Sequence, residues 1–455
     1  MGMFLNKLDK QKIFIKKGFF TIKERLKLLN ELKNKILENK ENIYDALYKD
    51  FNKSKKEIDL VELNPVINEL NYFIKNIYKL SKNKKLYKGF KDLFNSKSYI
   101  KPQCYGSILL FVSNDLPFNI AFIPIIGAIA AGNTVFIKFP EHAKNTNKIS
   151  KKILGSVFDD HHIFFIDNEL DENDTKELFQ LDFDMVFFFG KTKNAKNIVK
   201  NYTSRFIEVV FQIGSKCPIV IDETANIDLA SKRIIWSKAI NSGQLSSSPD
   251  YILIHETVYN DFVQAIRRNY NELFYKVDYK TRFCKIITDE NLNRMINIID
   301  KNKKEIVFGG NYDKNSKSIE FTLMNVVDLK SEMMNNENFG PILPIIKYNN
   351  VSDVFGVIDH NPSPLAIYVF SKNKNFWYEV QQNIETRILI FNDVMTQMFY
   401  NVPQGGIRTT GSHAYGKKYS WDLFTYNRVI IKSSRFSWKN RYRLITNSNG
   451  NNFTK

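Results

Sequence analysis

Few side chains in this sequence have the type and spacing of a metal-binding group. The three cysteines, Cys104, Cys217 and Cys284, are scattered without metal-type spacing, which fits a reducing compartment. The six histidines form no familiar metal motif: His255-Glu256 begins like a zinc-protease motif, but Tyr259 occupies the second ligand position. The sequence therefore predicts no bound metal.

A serine run and a buried-type cysteine offer hydroxyl and thiol groups, and neither has an evident activating partner. Ser246 lies in a run of three serines at 246–248, which is typical of a relaxed polar loop. A serine hydroxyl forms little alkoxide near neutral pH without a dedicated base. Cys217 follows a Gly-Ser-Lys segment, where a lone small apolar residue more often packs than reacts. A reworked site that uses either residue, for example a weak esterase, stays open at this point.

The elements that would position these residues are strands alternating with helices. Apolar strand-like runs occur at 107–113, 134–139, 162–167 and 185–190, with helical segments between them, and a second series begins near 218. Continuous apolar strands separated by helices predict a parallel sheet that is covered on both faces. Two such α/β units in one chain predict a cleft between them, which is the usual location of a ligand.

Two helices are predicted ahead of the first strand. Thr21 and Glu24 have capping-box spacing, and the second helical stretch, at about 60–80, should start or kink at Pro65. The apolar run 118–131 is interrupted by Pro124 and is shorter than the roughly 18 residues of a membrane span, which favours a buried core helix. With neither a signal-peptide pattern nor a myristoylation site, we predict a cytoplasmic protein.

The net charge of +18 indicates a basic protein but not a specific partner. Lysines are spread along the whole chain beside many Asn, Ile, Phe and Tyr residues, a mix typical of an AT-rich genome and of solvated surfaces. The densest cluster, at 432–443, alternates aromatic and cationic residues. That tail is the segment we predict to contact nucleic acid or an anionic membrane surface, if any segment does.

Several short segments, in their order and spacing, resemble the aldehyde dehydrogenase superfamily over roughly residues 15–435. They are Pro117-Phe118-Asn119, 127–133, Lys138, Trp236, 241–244, Pro249-Asp250-Tyr251, 338–341, Asn392-Asp393, Gly405-Gly406 and 416–418. The chain is most similar to the short, dimeric class that oxidises fatty and aromatic aldehydes. Any one of these segments is a weak signal, whereas their joint order is specific.

The resemblance implies an α/β fold with three parts. These are a Rossmann-like cofactor domain at 1–96 and 105–211, a catalytic-type α/β domain at 212–412, and a small β extension for oligomerisation at 97–104 and 413–435. A basic polar tail follows at 436–455. The extension implies a homodimer, which would survive a loss of catalysis because assembly depends on other residues.

Carried over by position, the family's catalytic groups are changed in this chain. The nucleophilic Cys corresponds to Ser246, the general-base Glu to Gln212, and the oxyanion-binding Asn to Asp115. An amide cannot accept a proton usefully, and a carboxylate at 115 would repel a developing oxyanion. Because these groups act as one unit, the three changes together predict a protein without normal dehydrogenase activity.

The family's cofactor positions are partly retained. Lys138 and Glu141 match residues that hold the adenosine ribose, and Glu337 with Phe339 matches the nicotinamide-ribose pair. The glycine-rich turn begins at Gly190, but its two later glycines are replaced, so close approach of a pyrophosphate is in doubt. Lysines at 191 and 193 either hold another anion or are surface residues on a decayed loop. We predict that these positions are vestigial and that no cofactor binds; NAD(P) binding in a retained cleft is the alternative.

The leading hypothesis from the sequence is therefore an aldehyde dehydrogenase-like protein that is not an enzyme, with a structural or scaffolding role and an unidentified protein partner. The alternative is a divergent NAD(P)-dependent aldehyde oxidoreductase, or a nucleotide-binding protein, with a reworked active site. Binding of nucleic acid or of an anionic surface through the lysine excess is a third reading.

Overall fold

A computed structural model describes residues 2–18, 20–86, 96–167, 169–399 and 401–433 of the chain. Its α-helices are α1 (Met3–Lys16), α2 (Ile22–Glu38), α3 (Lys40–Phe51), α4 (Lys55–Ile58), α5 (Asn64–Leu80), α6 (Pro117–Ala131), α7 (Lys144–Gly155), α8 (Glu172–Gln180), α9 (Thr192–Thr203), α10 (Ile227–Ala239), α11 (Tyr259–Leu273), α12 (Tyr279–Arg282), α13 (Asp289–Lys301), α14 (Glu332–Asn335), α15 (Val351–Asp359), α16 (Lys374–Asn383) and α17 (Lys418–Leu423). A π-helical turn, Asp59–Leu63, joins α4 to α5.

The strands form two large sheets and two small ones. They are β1 (Lys84–Lys85), β2 (Ser96–Cys104), β3 (Ser107–Phe111), β4 (Thr134–Lys138), β5 (Ile163–Ile166), β6 (Met185–Gly190), β7 (Glu208–Ile213), β8 (Cys217–Ile221), β9 (Pro249–His255), β10 (Ile306–Phe308), β11 (Tyr312–Asp313), β12 (Ser318–Ile319), β13 (Thr322–Asn325), β14 (Ile342–Tyr348), β15 (Ala366–Phe370), β16 (Ile388–Phe391) and β17 (Thr425–Ser433).

The first large sheet is fully parallel, with strand order β5-β4-β3-β6-β7. Its central strands are almost wholly buried because apolar side chains point to both faces and helices cover each face. The second large sheet has the order β10-β13-β14-β9-β8-β15-β16 and is parallel except for β10. The α/β fold that the sequence predicted is confirmed.

The helices also follow the sequence pattern closely. Pro65 lies in the first turn of α5, so the proline starts this helix after the π-helical turn rather than kinking it. Helix α6 is buried almost throughout even though Pro124 lies inside it, and it ends at Gly132, whose φ of 98° favours glycine. The Thr21 side chain accepts a hydrogen bond from the Glu24 backbone N–H, as predicted for the start of α2.

A three-stranded antiparallel sheet, in the order β1-β2-β17, lies apart from the two large sheets. The domain boundaries that the sequence suggested stay a prediction. Within the described residues, no helix combines the length and apolarity needed to cross a membrane. The predicted cytoplasmic location stays a prediction as well, and the basic tail at 436–455 lies outside the described residues.

A buried ion pair joins the N-terminal helices to the first large sheet. Lys53 and Glu62 are both fully buried, and Lys53 Nζ lies 2.5 Å from Glu62 Oε1. The same ammonium group donates to the carbonyl oxygen of Asp115 at 3.0 Å. The second carboxylate oxygen of Glu62 accepts from the Asn119 backbone N–H at 2.9 Å. One buried pair therefore fixes the start of α6 and the loop that precedes it.

Removing one partner of this pair should destabilise the protein strongly. We expect Lys53→Met to lower the free energy of unfolding by about 3–5 kcal/mol, because it leaves the Glu62 carboxylate buried without a counter-charge. Chemical denaturation followed by circular dichroism measures the change.

The matched control is Lys55→Met, which breaks an ion pair with Glu41 in which both side chains are largely exposed. That change should cost about 1 kcal/mol or less. Equal losses in the two variants would contradict the anchoring role of Lys53.

Candidate functional site

Four of the residues singled out from the sequence lie near the carboxyl ends of parallel strands, at one edge of the first large sheet. Asp115 follows β3, Lys138 ends β4, Gly190 ends β6, and Gln212 lies near the end of β7. Strand order reverses at β3, since β4 and β5 lie on one side of it and β6 and β7 on the other. Ligands of open parallel sheets bind at such a switch point, beyond the carboxyl ends of the strands.

A cavity of about 140 Å³ lies at this edge and contains the three positions singled out from the sequence. Asp115, Gln212 and Ser246 all line it, so residues that are distant in the chain meet at one point. The cleft predicted between two α/β units is therefore present. Much of its remaining wall is apolar: Pro65, Leu116, Ile120, Ile123, Leu245, Met398, Phe399 and Val402.

The loop that carries Ser246 is held tightly by its neighbours. Asn241, Ser242 and Gly243 adopt three successive left-handed conformations, with φ of 48°, 50° and 71°. The Asn241 side chain donates to the carbonyl oxygens of Asp115 and Gln244, at 2.9 and 2.8 Å. A side chain at Gly243 would meet the Gly340 carbonyl oxygen at 2.4 Å. Buried hydrogen bonds therefore fix the backbone at 241–244, just before Ser246, and the relaxed loop expected at 246–248 stays a prediction.

Cys217 lies behind the Ser246 loop rather than in the cavity. Its side chain is fully buried, and its thiol donates to the Ser246 carbonyl oxygen at 3.5 Å. Burial raises the pKa of the Cys217 thiol to about 12, so almost no thiolate forms near neutral pH. The structure therefore gives Cys217 a packing role.

Asp115 is buried to 7% exposure, and this environment changes the chemistry expected of it. Burial raises the pKa of its carboxyl group, an effect that a hydrogen bond from the Ser113 hydroxyl opposes only in part. The sequence-based expectation was a carboxylate that repels an oxyanion. The raised pKa makes this carboxyl group harder to ionise than a free one, and in its protonated form it donates a hydrogen bond to a substrate oxygen.

Gln212 presents an amide to the same cavity. Its Oε1 atom is buried and has no hydrogen-bond partner among the described residues. Tyr415, which also lines the cavity, interacts with the Gln212 side chain, and burial raises the pKa of the Tyr415 hydroxyl. Gln212 is thus an acceptor that a hydroxyl or amide of a ligand can satisfy.

Glu69 is a cavity residue that the sequence analysis missed. It lies on α5, it is 2% exposed, and its carboxylate accepts two hydrogen bonds from the Lys417 backbone N–H, at 2.7 and 2.9 Å. Burial raises the pKa of Glu69 to about 7. One signal was available in the sequence, because Glu69 is the charged member of an apolar stripe that includes Val66, Leu70 and Phe73.

The edge beside the cavity has features that fit a dinucleotide. Gly190 pairs with Ile213, the residue after Gln212. The helix that follows, α9, starts at Thr192, and no side chain caps its first backbone N–H groups. Such N–H groups at a helix N-terminus can bind an anion. A side chain at Gly214 would meet Glu337 Oε2 at 2.0 Å, so only glycine permits this close approach. Burial raises the pKa of Glu337 well above its usual range.

The segment that carries Glu337 and Phe339 is firmly anchored. Asn338 donates through its backbone N–H to Asp250 Oδ1 at 2.8 Å, and Asp250 is paired with the buried Lys216. Phe339 has a left-handed φ of 44°, which is rare for an aromatic residue. Strain of this kind persists where the surroundings fix the backbone, and it is frequent at ligand sites.

The other predicted cofactor positions lie farther along the same edge. Lys138 is half-buried, and burial lowers the pKa of its ammonium group, while Glu141 is exposed. Neither residue lines the cavity. Lys191 pairs with Glu290 at 3.4 Å on the surface. The roles of Lys138, Glu141, Gly190, Glu337 and Phe339 toward a cofactor stay predictions.

Comparison with known proteins identifies relatives over nearly the whole chain. The family model described as "Aldehyde dehydrogenase family" matches residues 16–430. The 4,4'-diaponeurosporen-aldehyde dehydrogenase of Staphylococcus aureus is 33% identical over 93% of this chain and 94% of its own length. Aldehyde dehydrogenase family 3 member A2 of Pongo abelii is 32% identical over 93% of this chain and 87% of its own length.

Solved structures agree with this fold. The substrate-bound state of Staphylococcus aureus AldH superposes with a TM-score of 0.91 at 33% identity, covering 96% of this chain and 95% of that one. Glyceraldehyde-3-phosphate dehydrogenase GapN of Methanocaldococcus jannaschii, at 20% identity and a TM-score of 0.81, shares the fold over 94% of each chain. That structure is a complex with NADP. The predicted absence of a cofactor in this chain is not supported.

One prediction from the sequence is contradicted. We predicted that this chain is not an enzyme, yet proteins 32% and 33% identical over most of its length are named as aldehyde dehydrogenases, which points to an enzyme. The residue type at a single position is a poor guide to activity, because the surroundings of a side chain shift its pKa. Burial, for example, raises the pKa of Asp115. Because the family model matches residues 16–430 and a relative is 33% identical over 93% of the chain, this chain belongs to the aldehyde dehydrogenase family.

Proposed function

We propose that this protein oxidises aldehydes with NAD(P) in the cavity beside the carboxyl ends of the first sheet. The observation that carries the proposal is the convergence of Asp115, Gln212 and Ser246, with Glu69, on one cavity near the carboxyl ends of the first sheet's parallel strands. The names of the relatives support an aldehyde as the substrate.

The cavity wall favours an aldehyde with a hydrocarbon chain. Its lining combines polar residues, among them Asp115, Gln212 and Glu69, with a set of apolar side chains that includes Ile120 and Ile123. Burial of a hydrocarbon against such a wall stabilises the complex, and the few polar groups orient the reacting carbon. A small, fully polar aldehyde would leave that apolar wall without contacts.

The residues suit oxidation of the aldehyde hydrate without a covalent intermediate. When bound, NAD(P) supplies the hydride acceptor. Asp115 in its protonated form donates to one oxygen of the hydrate, and the Ser246 hydroxyl and Gln212 Oε1 bind the other. Glu69, when ionised, takes the hydroxyl proton as the substrate C–H bond breaks, so that a carboxylic acid forms. This route needs neither a thiolate nor a base that hydrolyses a thioester.

Turnover should depend on a hydrogen-bond donor at position 115. We expect aldehyde-dependent formation of NADH or NADPH, recorded by absorbance of the reduced cofactor, with a medium-chain aliphatic aldehyde as substrate. Asp115→Asn keeps a donor and should retain kcat/KM within a few-fold. Asp115→Ala removes the donor and should lower kcat/KM about 100-fold.

Two results would count against this role for Asp115. The first is equal activity in the two variants. The second is an absence of turnover by the parent protein with aliphatic and aromatic aldehydes and either cofactor.

The pH dependence of turnover should reveal Glu69 as the proton acceptor. Since the pKa of Glu69 is about 7 and only its ionised form accepts a proton, kcat should rise as pH increases through about 7 and fall below it. Glu69→Gln can still accept one hydrogen bond from the Lys417 backbone N–H through its amide oxygen, but it should lower kcat and remove this limb of the pH profile.

The control is Glu385→Gln, which changes a largely exposed carboxylate paired with Arg408. This variant should leave the profile unaltered, and melting temperatures of both variants check folding. An unchanged pH limb in Glu69→Gln would rule out the assigned role.

We also propose that the protein is a homodimer assembled through the three-stranded sheet. Strand β17 lies at the edge of this sheet, and its apolar side chains Val429 and Ile431 are 57% and 63% exposed. An exposed apolar edge strand of nine residues pairs readily with another chain. The family resemblance also implies an oligomerisation extension at 97–104 and 413–435, and β17 lies within it.

Charge on this strand should dissociate the dimer. Val429→Glu combined with Ile431→Glu should convert a dimer into a monomer at micromolar concentration, because two carboxylates would be buried in the interface. Sedimentation velocity measures the mass. Val327→Glu, at an unrelated position that is 79% exposed, should leave the dimer intact. A parent protein that sediments as a monomer would refute this interface.

A further inference from the structure

The loop before β5 brings together three side chains of metal-binding type. Asp159, His161 and His162 lie between α7 and β5, and their ligand atoms are all within 4.8 Å of one another. Asp159 is exposed, His161 is half-buried, and His162 is 4% exposed. The sequence predicted no metal site, because a carboxylate two residues before adjacent histidines matches no common motif.

His162 is the residue that points to a ligand. Both of its ring nitrogens are buried and have no hydrogen-bond partner among the described residues. Its ring packs against Phe14, Phe20 and Phe158, with centroid distances of 4.9, 5.1 and 6.0 Å, and aromatic rings supply no conventional acceptor. A buried imidazole with neither nitrogen satisfied is costly, so a partner for it is expected.

An ion pair with a nearby carboxylate does not supply that partner. Glu24, in the first turn of α2, has its Oε1 atom 4.0 Å from His162 Nε2, which is beyond hydrogen-bonding distance. The Asp159 carboxylate lies near both imidazoles, and the Glu24 carboxylate lies near that of His162.

We propose that Asp159, His161 and His162 bind a divalent transition-metal ion of the zinc type, with Glu24 as a fourth ligand. Two imidazole nitrogens with one or two carboxylates form a common ligand set for this ion. Bonds of about 2.0–2.1 Å in a tetrahedral site bring ligand atoms about 3.4 Å apart. His161 Nε2 already lies 3.9 Å from Asp159 Oδ2, so small rotations of these two accessible side chains suffice.

The site would have a structural role that is separate from the reaction. None of its four residues lines the cavity that contains Ser246. The metal would join the first turn of α2 to the loop that enters β5, the edge strand of the first sheet. Metal removal should therefore lower the melting temperature and leave the catalytic groups in place.

Binding of zinc alone to the purified, metal-stripped, full-length protein tests this site. We expect the protein to bind about one equivalent of Zn²⁺, measured by equilibrium dialysis with elemental analysis. Bound Zn²⁺ should raise the melting temperature by a few degrees. With Co²⁺ as the probe, we expect the visible absorption of tetrahedral cobalt. Asp159→Asn and His161→Ala should each weaken Zn²⁺ binding at least about 10-fold.

The choice of variants separates a loss of Zn²⁺ binding from a loss of folding. Asp159 and His161 are accessible, so their variants should melt like the parent protein in the absence of metal, whereas His162→Ala disturbs the core. The matched control is His360→Ala, at an exposed histidine outside the cluster, which should bind Zn²⁺ like the parent. Binding below one-tenth of an equivalent at 100 micromolar Zn²⁺, or equal binding by all these variants, would overturn the proposal.

Discussion

The geometry of the site depends on the buried ion pair between Lys53 and Glu62. Lys53 and Asn241 both donate to the carbonyl oxygen of Asp115, while Glu62 holds the first turn of α6 through Asn119. Three distant segments, the N-terminal helices, the loop after β3 and the Ser246 loop, are thereby tied to one backbone atom. Breaking a buried pair leaves an uncompensated charge, so the cavity and the stability of the fold rest on the same contacts.

Burial then decides the chemical state of the groups that face the cavity. It raises the pKa of the Asp115 carboxyl group, and it raises that of Glu69 to about 7. Burial therefore favours the protonated, hydrogen-bond-donating form of Asp115, and it allows Glu69 to accept a proton near neutral pH. Two groups whose surroundings separate their pKa values can divide the acid and base roles of a reaction.

The fold was largely predictable from the sequence, whereas the chemical properties that burial gives to the site residues were not. Apolar strands such as 185–190 have no other stable arrangement than a covered parallel sheet, so their pattern is informative by itself. Family segments placed Ser246 and Asp115 correctly in one cavity, but the inference of inactivity from their types was wrong. Glu69 and His162 were missed because their significance comes from burial and from neighbours distant in the chain, which spacing does not report.

Titration calorimetry of the purified protein with NAD and NADP tests the central claim, that this cavity and its strand edge form a working oxidoreductase site. We predict saturable binding of at least one of the two cofactors at micromolar concentration, with the heat signal reduced by Glu337→Ala. An absence of binding at millimolar concentrations of both cofactors would contradict the account, because the proposed oxidation has no other acceptor for the hydride.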